Sequence, residues 1–251
     1  MSDAFEKAER SCFNLTHYAK MIPESHALFV MPPGCSRILR LSSIEEGISH
    51  RFTMFNLEPS DVINGNVESI VIDAVARTLQ RLTEDGRRPK IFCVFVSCVD
   101  SFIGTDREYV MEELRQMEPD IIFFDLAVDP INRDTMPPLV RLHNTITALF
   151  EKTENAAPTR TINWIGNYLK PEETHPLVQK LQQNGLTSRH LLDCTSVEEL
   201  RLMGNSTANI AMTAMGLPAV KKLKEKFGTP YYNLVNPDDP DSLTEEALLA
   251  L

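Results

Sequence analysis

Two kinds of segment alternate along the chain. Short apolar runs rich in β-branched and aromatic residues occupy 26–31, 90–97, 120–125, 161–166, 208–212 and 231–235. Runs of that length and kind mark buried strands. Between them, apolar residues recur at three- and four-residue spacing over 60–83, 106–117, 138–152, 176–184, 197–203 and 218–227, the period of amphipathic helices. The alternation predicts an α/β fold of doubly wound, Rossmann-like type, with mainly parallel sheets and helices on both faces. Local punctuation agrees. Thr105 or Asp106 can cap a helix beginning near Arg107, Gly185 follows the helix over 176–184, and Pro218 sits in a first turn.

The pattern breaks over 154–160, which predicts two such units, residues 1–155 and 156–236. An acidic tail, 237–251, follows, with Asp238 and Asp239 between prolines, Asp241 after them, and then a short helical pattern over 244–251. A chain of 251 residues is long enough for two α/β units. Its hydrophobic fraction of 43% and charged fraction of 24% are those of a globular protein. The formal net charge is −10, which makes phosphate backbones and anionic lipid poor partners. No apolar stretch approaches a membrane span, and the polar start of the chain does not resemble a signal peptide. A cytoplasmic location is expected, in which the five cysteines stay reduced.

Cysteine position then matters more than cysteine number. Cys98 ends the apolar run that begins at Lys90, and in an open α/β sheet ligands bind beyond the carboxyl ends of strands. Cys35 follows another apparent strand after the turn-forming Pro32-Pro33-Gly34. Cys12 lies on or beside a helical pattern. Thiolates suit iron–sulfur clusters, yet buried structural cysteine is the commoner fate of each residue taken singly. Cys93, in mid-strand, reads as core. No Cys-x-x-Cys spacing supports a zinc ribbon. No Gly-x-Gly-x-x-Gly or Gly-Lys-Ser/Thr motif points to ATP or a dinucleotide.

The order of these features resembles component 1 of nitrogenase and its relatives. The shared order is Cys12, then Gly34-Cys35 after a proline-rich turn, then Ser97-Cys98 followed by Phe102-Ile103-Gly104-Thr105-Asp106. The stretch from Ser60 to Gly65, which opens a helix, is also similar to that family. So are Thr161-Ile162-Asn163-Trp164-Ile165-Gly166, the helix–glycine–strand step around Gly185, and Phe227-Gly228-Thr229-Pro230-Tyr231. The resemblance covers nearly the whole chain. It implies an oxidoreductase subunit holding an iron–sulfur cluster ([4Fe-4S] or P-cluster-like) through Cys12, Cys35 and Cys98. Three ligands from one chain place such a cluster at an interface, in a homodimer or with a sister α/β-type chain. A separate ATP-dependent iron protein supplies the electrons. Family chains continue into a third α/β unit and this one ends soon after the second, so dinitrogen reduction is not expected. A non-enzymatic cluster scaffold or interaction protein derived from the family is the alternative.

Other polar residues carry weaker expectations. Asp100 reads first as a loop carboxylate or helix cap, and second as an oxygen ligand or proton donor. Asp125 closes a strand, and Asp129 and Asp134 read as turn residues. His17, His143 and His190 have no partner at helical spacing and read mainly as surface or satisfied core residues. Met203, Met212 and Met215 read as core filling.

Overall fold

The computed structural model describes residues 15–97, 99–126, 136–153, 159–236 and 241–244. Contacts divide these between two units, 15–138 and 139–244, each built on one four-stranded parallel sheet.

In the first unit the described elements run α1 (Leu15–Met21), β1 (Ser25–Met31), α2 (Pro33–Glu45), β2 (Phe52–Asn56), α3 (Pro59–Ile63), α4 (Val67–Glu84), β3 (Ile91–Val96), α5 (Val99–Ile103), α6 (Arg107–Met117) and β4 (Ile122–Asp125). The sheet order is β2-β1-β3-β4. The two inner strands, β1 and β3, are buried at every position, as parallel strands covered on both faces must be. One face of these strands presents Leu28, Val30, Phe92, Val94 and Val96 to α4 and α6. The other presents Phe29 and Phe95, whose rings stack at 4.5 Å between centroids. That geometry adds about 1 kcal/mol to the area the rings bury.

The expected single helix over 60–83 is two helices. Gly65 adopts φ +65° between them, a conformation that an L residue resists and that ends α3. Asp106 caps α6 by accepting from the Tyr109 N–H at 2.9 Å.

The second unit contains α7 (Pro138–Ala148), β5 (Thr161–Ile165), α8 (Pro176–Gln183), β6 (Thr187–His190), α9 (Val197–Arg201), β7 (Ala208–Ala211), α10 (Leu217–Phe227) and β8 (Tyr231–Asn233). Its order, β6-β5-β7-β8, repeats that of the first. The segment after α7 is tied to this unit. Lys226 donates to the Ala148 and Phe150 carbonyls at 3.0 and 2.8 Å, and the Glu151 N–H donates to the Arg201 carbonyl at 2.8 Å. Residues 154–158, where the sequence pattern breaks, lie outside the described residues, as do 237–240 and 245–251 of the tail.

Trp164, Ile162, Ile210 and Met212 pack with α8 on one face. On the other, Asn163 faces its register partner Asn209. Asn163 donates to the Asn209 Oδ1 at 2.9 Å and to the Met203 carbonyl at 2.8 Å. A buried amide pair of this kind fixes which residues lie opposite one another, because a slip would strand both groups without partners. No helix among the described residues is long and apolar enough to cross a membrane.

Backbone meets backbone where β5 and β7 end. A Cβ on Gly216 would lie 2.6 Å from the Ile165 carbonyl oxygen and 2.7 Å from the Gly166 Cα. Neither atom can rotate away. Gly216→Ala should therefore cost about 1–3 kcal/mol, visible as a lower denaturation midpoint. Ala at Gly34, which has open space around it, should leave the midpoint nearly unchanged. Equal effects of the two substitutions in urea titrations would contradict this packing.

Candidate functional site

In both sheets the first and third strands of the unit are adjacent, so the chain leaves in opposite directions from their carboxyl ends. Such a switch point is where open α/β sheets bind ligands. In the first unit it lies between β1 and β3, paired from Ser25↔Ile91 to Val30↔Val96. Cys35 stands just beyond β1, exposed, in the first turn of α2. Pro32, in an extended conformation (φ −58°, ψ 151°), and Pro33 fix the entry into this helix. The Cys35 N–H donates to the Pro32 carbonyl at 3.0 Å. Ser36, buried behind it, donates to the Asn56 Oδ1 at 2.7 Å and so ties the Cys35 turn to the end of β2.

Cys12 and Cys98 lie outside the described residues. The neighbours of Cys98 are placed. The Ser97 N–H extends the ladder by donating to the Val30 carbonyl at 3.2 Å, and α5 begins at Val99. Among the described residues no three His, Cys, Asp or Glu side chains gather as a metal site. Asp129 and Asp134 also fall outside them.

Asp100 is buried, and it is neither a surface turn residue nor a cap. Its Oδ2 lies 3.6 Å from the Arg107 Nε, and Arg107 also contacts the Asp125 carboxylate at the end of β4. Burial pushes the Asp100 carboxyl above the usual carboxylate range, opposed by the Thr105 hydroxyl and Arg107. One guanidinium thus joins α5, the helix after β3, to the end of β4. Arg107 carried no signal in the sequence. Its partners are seven residues before it and eighteen after it, and only the parallel pairing of β3 with β4 brings them together.

The other cysteines are core residues. Cys93 is buried and its thiol is pushed up to about 12 by burial. Cys194 is buried with its Sγ 3.5 Å from the Met203 Sδ. A cleft of about 610 Å³ in the second unit is lined by Lys170, Arg189 and His190 among others. There Lys170 pairs with Asp193 at 3.1 Å. His190 is fully used: Nδ1 accepts from the Leu192 N–H at 3.1 Å, and Nε2 meets the Asn167 carbonyl at 3.0 Å. These partners fix the neutral ring with its proton on Nε2.

The fold is that of a pair of parallel α/β sheets with a cysteine at the switch point of the first. The family description of nitrogenase component 1 type oxidoreductases matches residues 17–246. The chain belongs to that family. Two solved structures of nitrogenase Cp1 are similar in fold. One, at pH 6.5, has a TM-score of 0.64 at 13% identity, covering 87% of this chain and 52% of its own. The other, at pH 5, has a TM-score of 0.63 at 15% identity, covering 86% and 46%. This chain therefore spans about half the length of the nitrogenase chains it matches. No curated protein matches it.

Buried neutral histidines predict a pH dependence. Burial lowers His26 and His143 to about 3 and His190 to about 4, against about 6.5 when unfolded. The unfolded chain then binds more protons between these values. The stability contributed by neutral rings is whole above pH 6.5 and is lost as pH falls toward 3. The melting temperature should drop across that window, and the drop should be smaller in His143→Leu. An identical pH profile for this variant would contradict the assignment.

Proposed function

We propose that this chain is a nitrogenase-like oxidoreductase subunit that holds an iron–sulfur cluster through Cys12, Cys35 and Cys98 and accepts electrons from an ATP-dependent iron protein. The observation that carries the reading is the shared exit of β1 and β3. Cys35 follows one strand and Cys98 follows the other, on neighbours that parallel pairing holds about 4.8 Å apart. The Cys35 side chain is itself exposed.

Chain reach supports the third ligand. Helix α1 lies along α2, with the Thr16 hydroxyl 3.1 Å from that of Ser42 and Lys20 paired with Glu46. From Ser42 back to Cys35 is seven helical residues, about 10 Å. From Thr16 back to Cys12 is four residues, which span up to about 13 Å when extended. Cys12 can therefore reach the level of Cys35.

Bound there, the cluster would supply one-electron redox chemistry. The chain's own residues supply its setting. The Ser36–Asn56 hydrogen bond orients the Cys35 turn, Arg107 clamps α5, and the stacked Phe29 and Phe95 close the sheet beneath. Three thiolates leave one position of a four-iron cluster to another group. The reading therefore includes a homodimer or a sister chain covering this end of the sheet, in the reducing cytoplasm.

The test is anaerobic purification with iron and sulfide analysis. Cys12→Ala, Cys35→Ala and Cys98→Ala should each lower bound iron several-fold, while Cys93→Ala and Cys194→Ala should not. Reduction of the cluster by an ATP-dependent iron protein supports the electron-accepting role. Stable cluster without that reduction would replace it with the scaffold role. Iron content indifferent to all three cysteines would remove both.

A further inference from the structure

The end of the first sheet opposite Cys35 carries positive charge that no carboxylate among the described residues neutralises. The chain has 35 acidic and 25 basic residues, and Arg77, Arg87 and Arg88 nearby are each paired with a carboxylate. Arg40 on α2, Arg51 before β2 and Arg81 on α4 are not paired with any carboxylate among the described residues. Arg51 turns inward and spends its donors on neutral oxygens, the Ile22 carbonyl and Ser25. Arg81 makes one hydrogen bond, 2.9 Å to the Thr53 hydroxyl. That hydroxyl lies 2.9 Å from the His26 Nε2, and the buried ring stays neutral among Arg81, Arg87, Arg51 and His50. Arg40 makes no side-chain hydrogen bond or ion pair with a described residue.

Arg40 and Arg81 line one open groove of about 410 Å³. Ser49 and Thr53 add hydroxyls, Ile44 and Met54 add apolar walls, and no acidic residue lines it. A guanidinium presents up to five N–H donors in a planar fork that matches a tetrahedral oxyanion. Two such cations facing one cavity repel each other until an anion sits between them. The volume falls within the range of small-molecule sites and exceeds what one bare oxyanion fills. The apolar walls give an attached organic group a surface to cover.

We propose that this groove binds the phosphate group of a small phosphorylated anion, with Arg40 and Arg81 as its two forks. The site lies at the amino-terminal end of the strands, whereas Cys35 lies at the carboxyl end. The proposal therefore stands independently of the cluster reading.

Isothermal titration of the full chain at fixed ionic strength tests it, using inorganic phosphate, AMP and citrate as probes. AMP or phosphate should bind. Arg40→Gln and Arg81→Gln should each weaken that binding by at least about tenfold. Arg77→Gln, on the same helix but paired with Asp73, should not. Tighter binding of AMP than of phosphate, reduced by Ile44→Ser, supports an organic phosphate. Equal binding of the two supports free phosphate as the source. No heat with either phosphate compound in the millimolar range would overturn the site. So would affinity unchanged in both arginine variants with native circular dichroism, or an equal response to citrate.

Discussion

Everything in the first unit depends on the lateral pairing of β1 with β3. The strands lie some sixty residues apart in the chain yet pair in parallel over six positions. Both are buried throughout. A slip of one residue in either strand would turn that strand's ring, Phe29 or Phe95, out of the stack and toward α4 and α6. The register is therefore set by packing, and with it the two points at which the chain leaves the sheet. The Cys35 turn, the start of α5 and the Arg107 clamp follow from that placement.

The second sheet has the same strand order but fills its switch point differently. There Gly166 and Gly216 bring backbone against backbone, and the Thr213 hydroxyl donates to the Gly166 carbonyl at 2.5 Å. The Asn163–Asn209 amide pair and the His190 ring tie its strands and loops together. Equal topology thus does not give equal chemistry. The groove at the opposite end of the first sheet makes the same point, since its two arginines come from α2 and α4 at the amino-terminal end of the strands, away from the turn that carries Cys35.

The inner strands were legible in the sequence because burial on both faces leaves continuous apolar runs, as in Leu28–Val30 and Phe92–Val96. The edge strands β2 and β6 were not. Thr53, Thr187 and Ser188 face partly outward, so these segments lack both an apolar run and a clean alternation. Helix α2 was hidden by its Pro-Pro-Gly start and by Ile38, Leu41 and Ile44, which lie on its exposed side. The position of Cys35 at a strand end could be read from the turn residues before it. Arg107 could not be found, nor could the Asn163–Asn209 pair or the Arg40–Arg81 groove. Each depends on side chains far apart in the chain that only strand pairing or helix packing brings together.

The central claim is that one site at the carboxyl ends of β1 and β3 gathers Cys12, Cys35 and Cys98. Anomalous diffraction at the iron absorption edge, on crystals grown without oxygen, addresses it most directly. A single compact iron peak within bonding distance of the Cys35 sulfur, with the other two sulfurs around it, is the predicted result. Iron bound elsewhere in the chain, or a Cys35 sulfur with no iron beside it in protein that contains iron, would contradict the account.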